Sequence, residues 1–184
     1  MFKEVELLKK FLINLILVVI GFVIYFLQSN FFSWFSIAGV KPNLFVVYIL
    51  FIGLFGSKIM GIVYGAGVGI FLDLIFKEKV GQNLLGLVLI GVIATIFDKN
   101  FSKDSRMTIM FMVFGSTVIF EVVSYFINYI IYSINVEVVN FLKILVVEVV
   151  YNILITIIVY PLMQKFGYYI ENEYKGNKIL TRYF

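Results

Sequence analysis

The sequence contains no cysteine and no histidine. Without cysteine there is no disulfide and no thiolate metal site. Without histidine, the commonest general base and the commonest transition-metal ligand are both missing. Chemistry carried by carboxylates alone stays open, because 11 aspartates and glutamates remain. Proline occurs twice and tryptophan once, and charged residues make up only 14% of the chain. Little therefore interrupts a helix, and little charge is available to solvate a surface.

What fills the chain instead is apolar. It is 62% hydrophobic, with a mean hydropathy of +1.04. A soluble domain runs at roughly 45–50% apolar, so lipid must solvate much of this surface. A span with its turn takes about 25–30 residues. About six such spans use up the 184 residues and leave no room for a soluble catalytic domain. The expectation is an all-α, polytopic membrane protein, a single membrane domain over residues 1–184. Its six transmembrane helices are placed at about 11–28, 43–56, 59–76, 83–97, 107–132 and 141–164. The second is short for a span. Pro42 suits the first turn of that helix, and Pro161 is expected to kink or end the sixth. Lys3, Lys9 and Lys10 precede an apolar run as in a signal peptide, but the run is long and no small-x-small site follows, so it reads as an uncleaved first helix.

Charge orients this bundle. With six spans, eleven of the lysines and arginines fall on the side that holds both ends of the chain, including Lys58, Lys99, Lys103, Arg106, Lys165, Lys175, Lys178 and Arg182. Four fall on the other: Lys41, Lys77, Lys79 and Lys143. The positive-inside rule then puts both termini in the cytoplasm. Residues 29–40, with Phe31, Phe32, Trp34 and Phe35, read as an aromatic anchor at the outer interface. Residues 165–184, mixing tyrosines with basic residues, read as a segment on the inner leaflet.

Two patterns carry the candidate site residues. On the third helix Gly61, Gly65, Gly69 and Asp73 recur every four residues, with Gly67 added. This is a ridge without side chains, suited to close approach by another helix or by a partner. It places the third helix at the centre of the bundle. Asp73 is expected to meet either Lys77 or the backbone N–H groups around Gly81, with a proton or ion site as the functional alternative. The second pattern is polar. Glu121 shares a helix face with Thr117, Ser124 and Asn128, and Glu148 is followed by Asn152 and Thr156 at four-residue steps. The two stripes are expected to face each other inside the bundle, either as hydrogen-bonding glue or as a functional site. The run Gly65-Ala66-Gly67-Val68-Gly69 lies inside an apolar helix and lacks the strand–turn–helix context and lysine of a nucleotide loop. No catalytic residue, metal site or cofactor is indicated, and the basic balance reads as loop charge and not as nucleic-acid binding.

From Lys41-Pro42-Asn43 to Gly81-Gln82-Asn83 the sequence resembles the bacterial rod shape-determining protein MreD family. The resemblance rests on Pro42 before the second helix, on Gly65-x-x-x-Gly69-x-x-x-Asp73, and on Gly81 eight residues beyond the aspartate. It implies a non-enzymatic scaffold subunit of the cell-elongation (rod) complex in the cytoplasmic membrane. Such a subunit associates with the bitopic protein MreC. Through it the complex helps to organise peptidoglycan synthesis with the MreB filament, the glycosyltransferase RodA and its transpeptidase. The family is also similar in fold to the S components of energy-coupling-factor transporters. That sets up the competing reading, a vitamin-binding S component with an outward pocket lined by Trp34, Glu121 and Glu148. A proton-linked carrier has less support, since no inverted repeat is visible.

Overall fold

With proline so rare, the apolar runs become helices almost without interruption. The computed structural model describes residues 2–76, 81–133 and 137–176. Six helices account for most of them. Helix α1 spans Phe2–Phe26, continues through a π-helical turn at Leu27–Phe31 and ends in a last turn at Phe32–Trp34. Then come α2 (Leu44–Phe55), α3 (Met60–Phe76), α4 (Gln82–Asn100), α5 (Arg106–Ile130) and α6 (Val138–Lys175). Two starts carry their own side-chain caps: Asn43 accepts from the Val46 N–H, and Ser105 from the Thr108 N–H. The described residues hold no strand beyond an isolated bridge between Ile37 and Val40.

Among the described residues, four helical stretches are long and apolar enough to cross a membrane: Lys3–Trp34, Gln82–Asn100, Arg106–Ile130 and Val138–Lys175. Two shorter apolar helices, α2 and α3, complete the bundle. The architecture is that of an all-α polytopic membrane protein. Lys9 pairs with Glu173 at 3.1 Å, so the first and last helices meet at one end, called here the terminal end.

The centre of the bundle is α2, not the glycine-bearing third helix. All twelve residues of α2 are buried. At about 1.5 Å per residue it is only about 18 Å long, well short of a bilayer core of about 30 Å. A helix apolar on every side has no solvated face to offer. The surrounding helices enclose it completely, and α3 lies beside it, with Ile59, Val63, Ile70 and Leu74 exposed.

The glycines explain how closely α3 fits. A β-carbon on Gly61 would lie 2.7 Å from Gly53 Cα of α2, and one on Gly65 would lie 2.5 Å from the Leu87 carbonyl oxygen of α4. One on Gly69 would lie 2.5 Å from Leu84 Cα. Here backbone touches backbone, and the ridge is filled within the chain by α2 and α4. Gly67 faces open space and takes no part.

The helix ends differ from the sequence reading in two places. Helix α6 runs through Pro161 and on to Lys175, eleven residues past the expected end. The proline costs one backbone hydrogen bond. Past it, Gly167 packs on the Phe55 ring, and Ile170 is fully buried. Helix α1 likewise begins near Phe2, because Asn14 and Lys9 tie it to the far end of α6. Lys178, Arg182, Tyr183 and Phe184 of the expected inner-leaflet segment lie outside the described residues, as do Lys77 and Lys79.

A leucine at position 65 must displace the α4 backbone, whereas one at 67 meets nothing. Gly65→Leu is expected to destabilise the protein by about 1–3 kcal/mol. Gly67→Leu is expected to stay within about 0.5 kcal/mol of the parent. Denaturation in mild detergent, followed by circular dichroism, compares the two.

Candidate functional site

Burying all of α2 leaves the unpaired groups of both its ends inside the bundle. An α-helix has free N–H groups at its start and free carbonyls at its end, and hydrocarbon offers neither a partner. Other helices supply them. At the start of α2, Gln28 Oε1 in the π turn of α1 accepts from the Leu44 N–H at 3.0 Å. Asn152 Oδ1 of α6 accepts from the Asn43 N–H at 2.9 Å. Asn152 also donates to Thr117 of α5 at 3.0 Å, so one fully buried amide joins three helices. Glu148, one turn earlier on α6, lies near the Asn43 side chain and Glu121 of α5. Pro42 is buried at the entry to this cluster. The polar stripes of α5 and α6 do meet, and α2 begins at their meeting point.

At the other end of α2 the partners are cations. Lys103, from the segment between α4 and α5, donates to the Leu54 carbonyl at 2.8 Å, and Lys175 at the end of α6 donates to the same oxygen at 2.7 Å. Positive charge suits a helix C-terminus. Lys103 is 2% exposed, so its charge must be paired. It reaches Asp98 at 2.5 Å and Glu171 at 2.7 Å, and its ammonium sits 5.0 Å from the centre of the Phe55 ring. Lys175 closes the loop with Asp98 at 2.7 Å. Nearby, Asp104 accepts from the hydroxyls of Tyr168 and, through its carbonyl, Tyr160.

Asp73 ends the glycine ridge, and its carboxylate is spent on the next helix. Oδ2 accepts from the Gly81 N–H at 2.8 Å and the Leu84 N–H at 3.1 Å. Oδ1 accepts from the Asn83 N–H at 3.1 Å and the Asn83 side chain at 2.9 Å. A residue of α3 thus caps the start of α4. Gly81 supplies the left-handed turn, with φ of 96°, that brings its N–H round. Of the two partners expected for Asp73, the backbone groups around Gly81 are in place; Lys77 lies outside the described residues.

The family model of the rod shape-determining protein MreD matches residues 6–170. The chain belongs to the MreD family. It is therefore a rod-shape-determining membrane protein, of a family that is not catalytic. No curated protein and no solved structure matches the chain. In this MreD-family protein the matched stretch holds all three constellations except Glu171 and Lys175. No group of three or more potential metal ligands occurs among the described residues.

The sequence-derived residues of the MreD-family chain thus separate into two places. Gly61, Gly65, Gly69, Asp73 and Gly81 form the α3–α4 seam. Pro42, Glu121, Glu148 and Asn152 surround the start of α2, and Asn128 lies two turns further along α5 with its Oδ1 unpartnered. Sequence reasoning missed Gln28, Asn43 and the Lys103–Lys175 cluster. Asn43 had a signal, an amide directly before an apolar run. For Lys103 only Asp98, five residues back, is a local partner; Leu54 and Glu171, which make it part of the closure, are 49 and 68 residues away.

Substitutions at two positions separate these roles. Asp73→Ala strands three N–H groups and should cost about 2–3 kcal/mol, with Asp73→Asn costing less because one oxygen remains. Lys103→Met leaves Glu171 without its closest cation and is expected to cost about 3–5 kcal/mol. Thermal unfolding in detergent reads both.

Proposed function

We propose that this protein is a non-enzymatic scaffold subunit of a cell-elongation complex, set in the cytoplasmic membrane with both termini in the cytoplasm. The family match over residues 6–170 carries this reading. The eleven-to-four distribution of basic residues supports the orientation. The partner is an MreC-like bitopic membrane protein. Through it the scaffold meets an MreB-like filament, a RodA-like glycosyltransferase and its transpeptidase, and helps to organise peptidoglycan synthesis.

What a scaffold needs is a fixed shape. The backbone contacts at Gly61, Gly65 and Gly69 and the side-chain closures at both ends of α2 supply one. The glycine ridge is covered by α2 and α4, so the partner helix docks elsewhere. Only 11% of the most apolar window of α1 is buried, which leaves most of that helix facing lipid or a neighbour.

Depletion in a rod-shaped host should give rounded cells with misplaced wall synthesis, and the bitopic partner should co-purify from detergent extracts. Normal shape and normal wall labelling after depletion would overturn the proposal. Thermal stabilisation by a vitamin would instead point to an S component.

A further inference from the structure

One buried acceptor in the bundle faces a group that cannot serve it unaided. Glu148 is 6% exposed, and its Oε1 has no hydrogen-bond partner. The Glu121 carboxyl faces the Glu148 carboxyl across the α5–α6 contact, one turn from the hydrogen bond between Thr117 and Asn152. An ionised carboxylate only accepts. With both groups ionised, oxygen faces oxygen and two like charges sit together in a medium of low dielectric. A proton between them supplies the missing donor and removes one of the charges.

We propose that Glu121 and Glu148 form a proton-binding site, holding one shared proton that closes α5 on α6 at the start of α2. Binding forms one O–H bond to a proton taken from water, and the pair passes from two negative charges to one. No electron moves. No other charged side chain acts on the pair among the described residues: Glu148 feels Glu121 and the Asn43 amide, and Glu121 feels Glu148. The other near side chains, Thr117 of α5 and Asn152 of α6, are neutral and already bonded to each other.

A route for the proton is built into the same face of α5. Ser124 and Asn128, at the next turns, carry buried oxygens without partners. Sites of this kind are where internal water sits. They lead from Glu121 towards the end of the bundle opposite the terminal end. The site is independent of which partner the protein serves.

The test uses the full-length protein in lipid nanodiscs. The unfolding equilibrium of the parent should shift towards the unfolded state as pH rises above the ordinary glutamate range, about 4–5, by up to about tenfold per pH unit until the pair loses its proton, the signature of one proton. In each single variant, Glu121→Gln or Glu148→Gln, the remaining carboxyl no longer faces a like charge and the slope should end at a lower pH; in the double variant no carboxyl is left to hold the proton, so the slope should vanish. A parent without a slope, single variants whose slope is unchanged from the parent's, or a slope kept in the double variant overturns the proposal. Infrared spectra of the parent grown on ¹³C-glutamate decide independently of whether the variants fold. A label-shifted C=O stretch of a protonated carboxylic acid at neutral pH is expected, and its absence overturns the site.

Discussion

The structure depends on a helix with nowhere to put its ends. Helix α2 is too short to span the bilayer and buried along its whole length. Its terminal N–H and C=O groups therefore reach neither water nor headgroups. Each unmet group in hydrocarbon costs several kcal/mol. The bundle answers with neutral oxygens from Gln28 and Asn152 at the start and two ammonium groups from Lys103 and Lys175 at the finish. These choices follow the helix dipole, negative at the C-terminus. The interior position of Asn152, the pairing of Lys103 with Asp98 and Glu171, and the extension of α6 beyond Pro161 all serve that closure.

Around this core the close approach of α3 and α4 is a matter of missing atoms. Lipid tails gain nothing from a glycine groove, but a second backbone gains dispersion contacts along its whole length. The seam ends in Asp73, whose two oxygens meet the first turn of α4. Packing and hydrogen bonding thus agree on a single register for the α3–α4 pair.

How much of this was legible in the sequence depended on distance along the chain. The seam was readable because Gly61, Gly65, Gly69 and Asp73 repeat within one helix, and the Asp73–Gly81 contact because it spans one turn. The facing of Glu121 and Glu148 followed from their stripes. The centre was misplaced because glycine content was weighted above the unbroken apolar run Leu44–Phe55. That run, with no polar face at all, was the better sign of burial. The end of α6 fell eleven residues short because the apolar run stops near residue 164, while the packing that carries α6 on to Lys175 does not show in the local sequence. Lys103 and Lys175 were counted for topology alone, since nothing near them in sequence reveals that both reach Leu54.

The closure of α2 also sets a timetable. Its partners are Gln28 before it in the sequence and Asn152, Lys103 and Lys175 after it. The second helix to leave the ribosome therefore waits for Asn152 in the last helix, and for Lys175 just beyond the matched family stretch, before its ends are satisfied. Until then it is an apolar segment with open termini inside a membrane, and the final turn of α6 is the step that completes it. In this protein the core is among the first segments synthesised and the last to be finished.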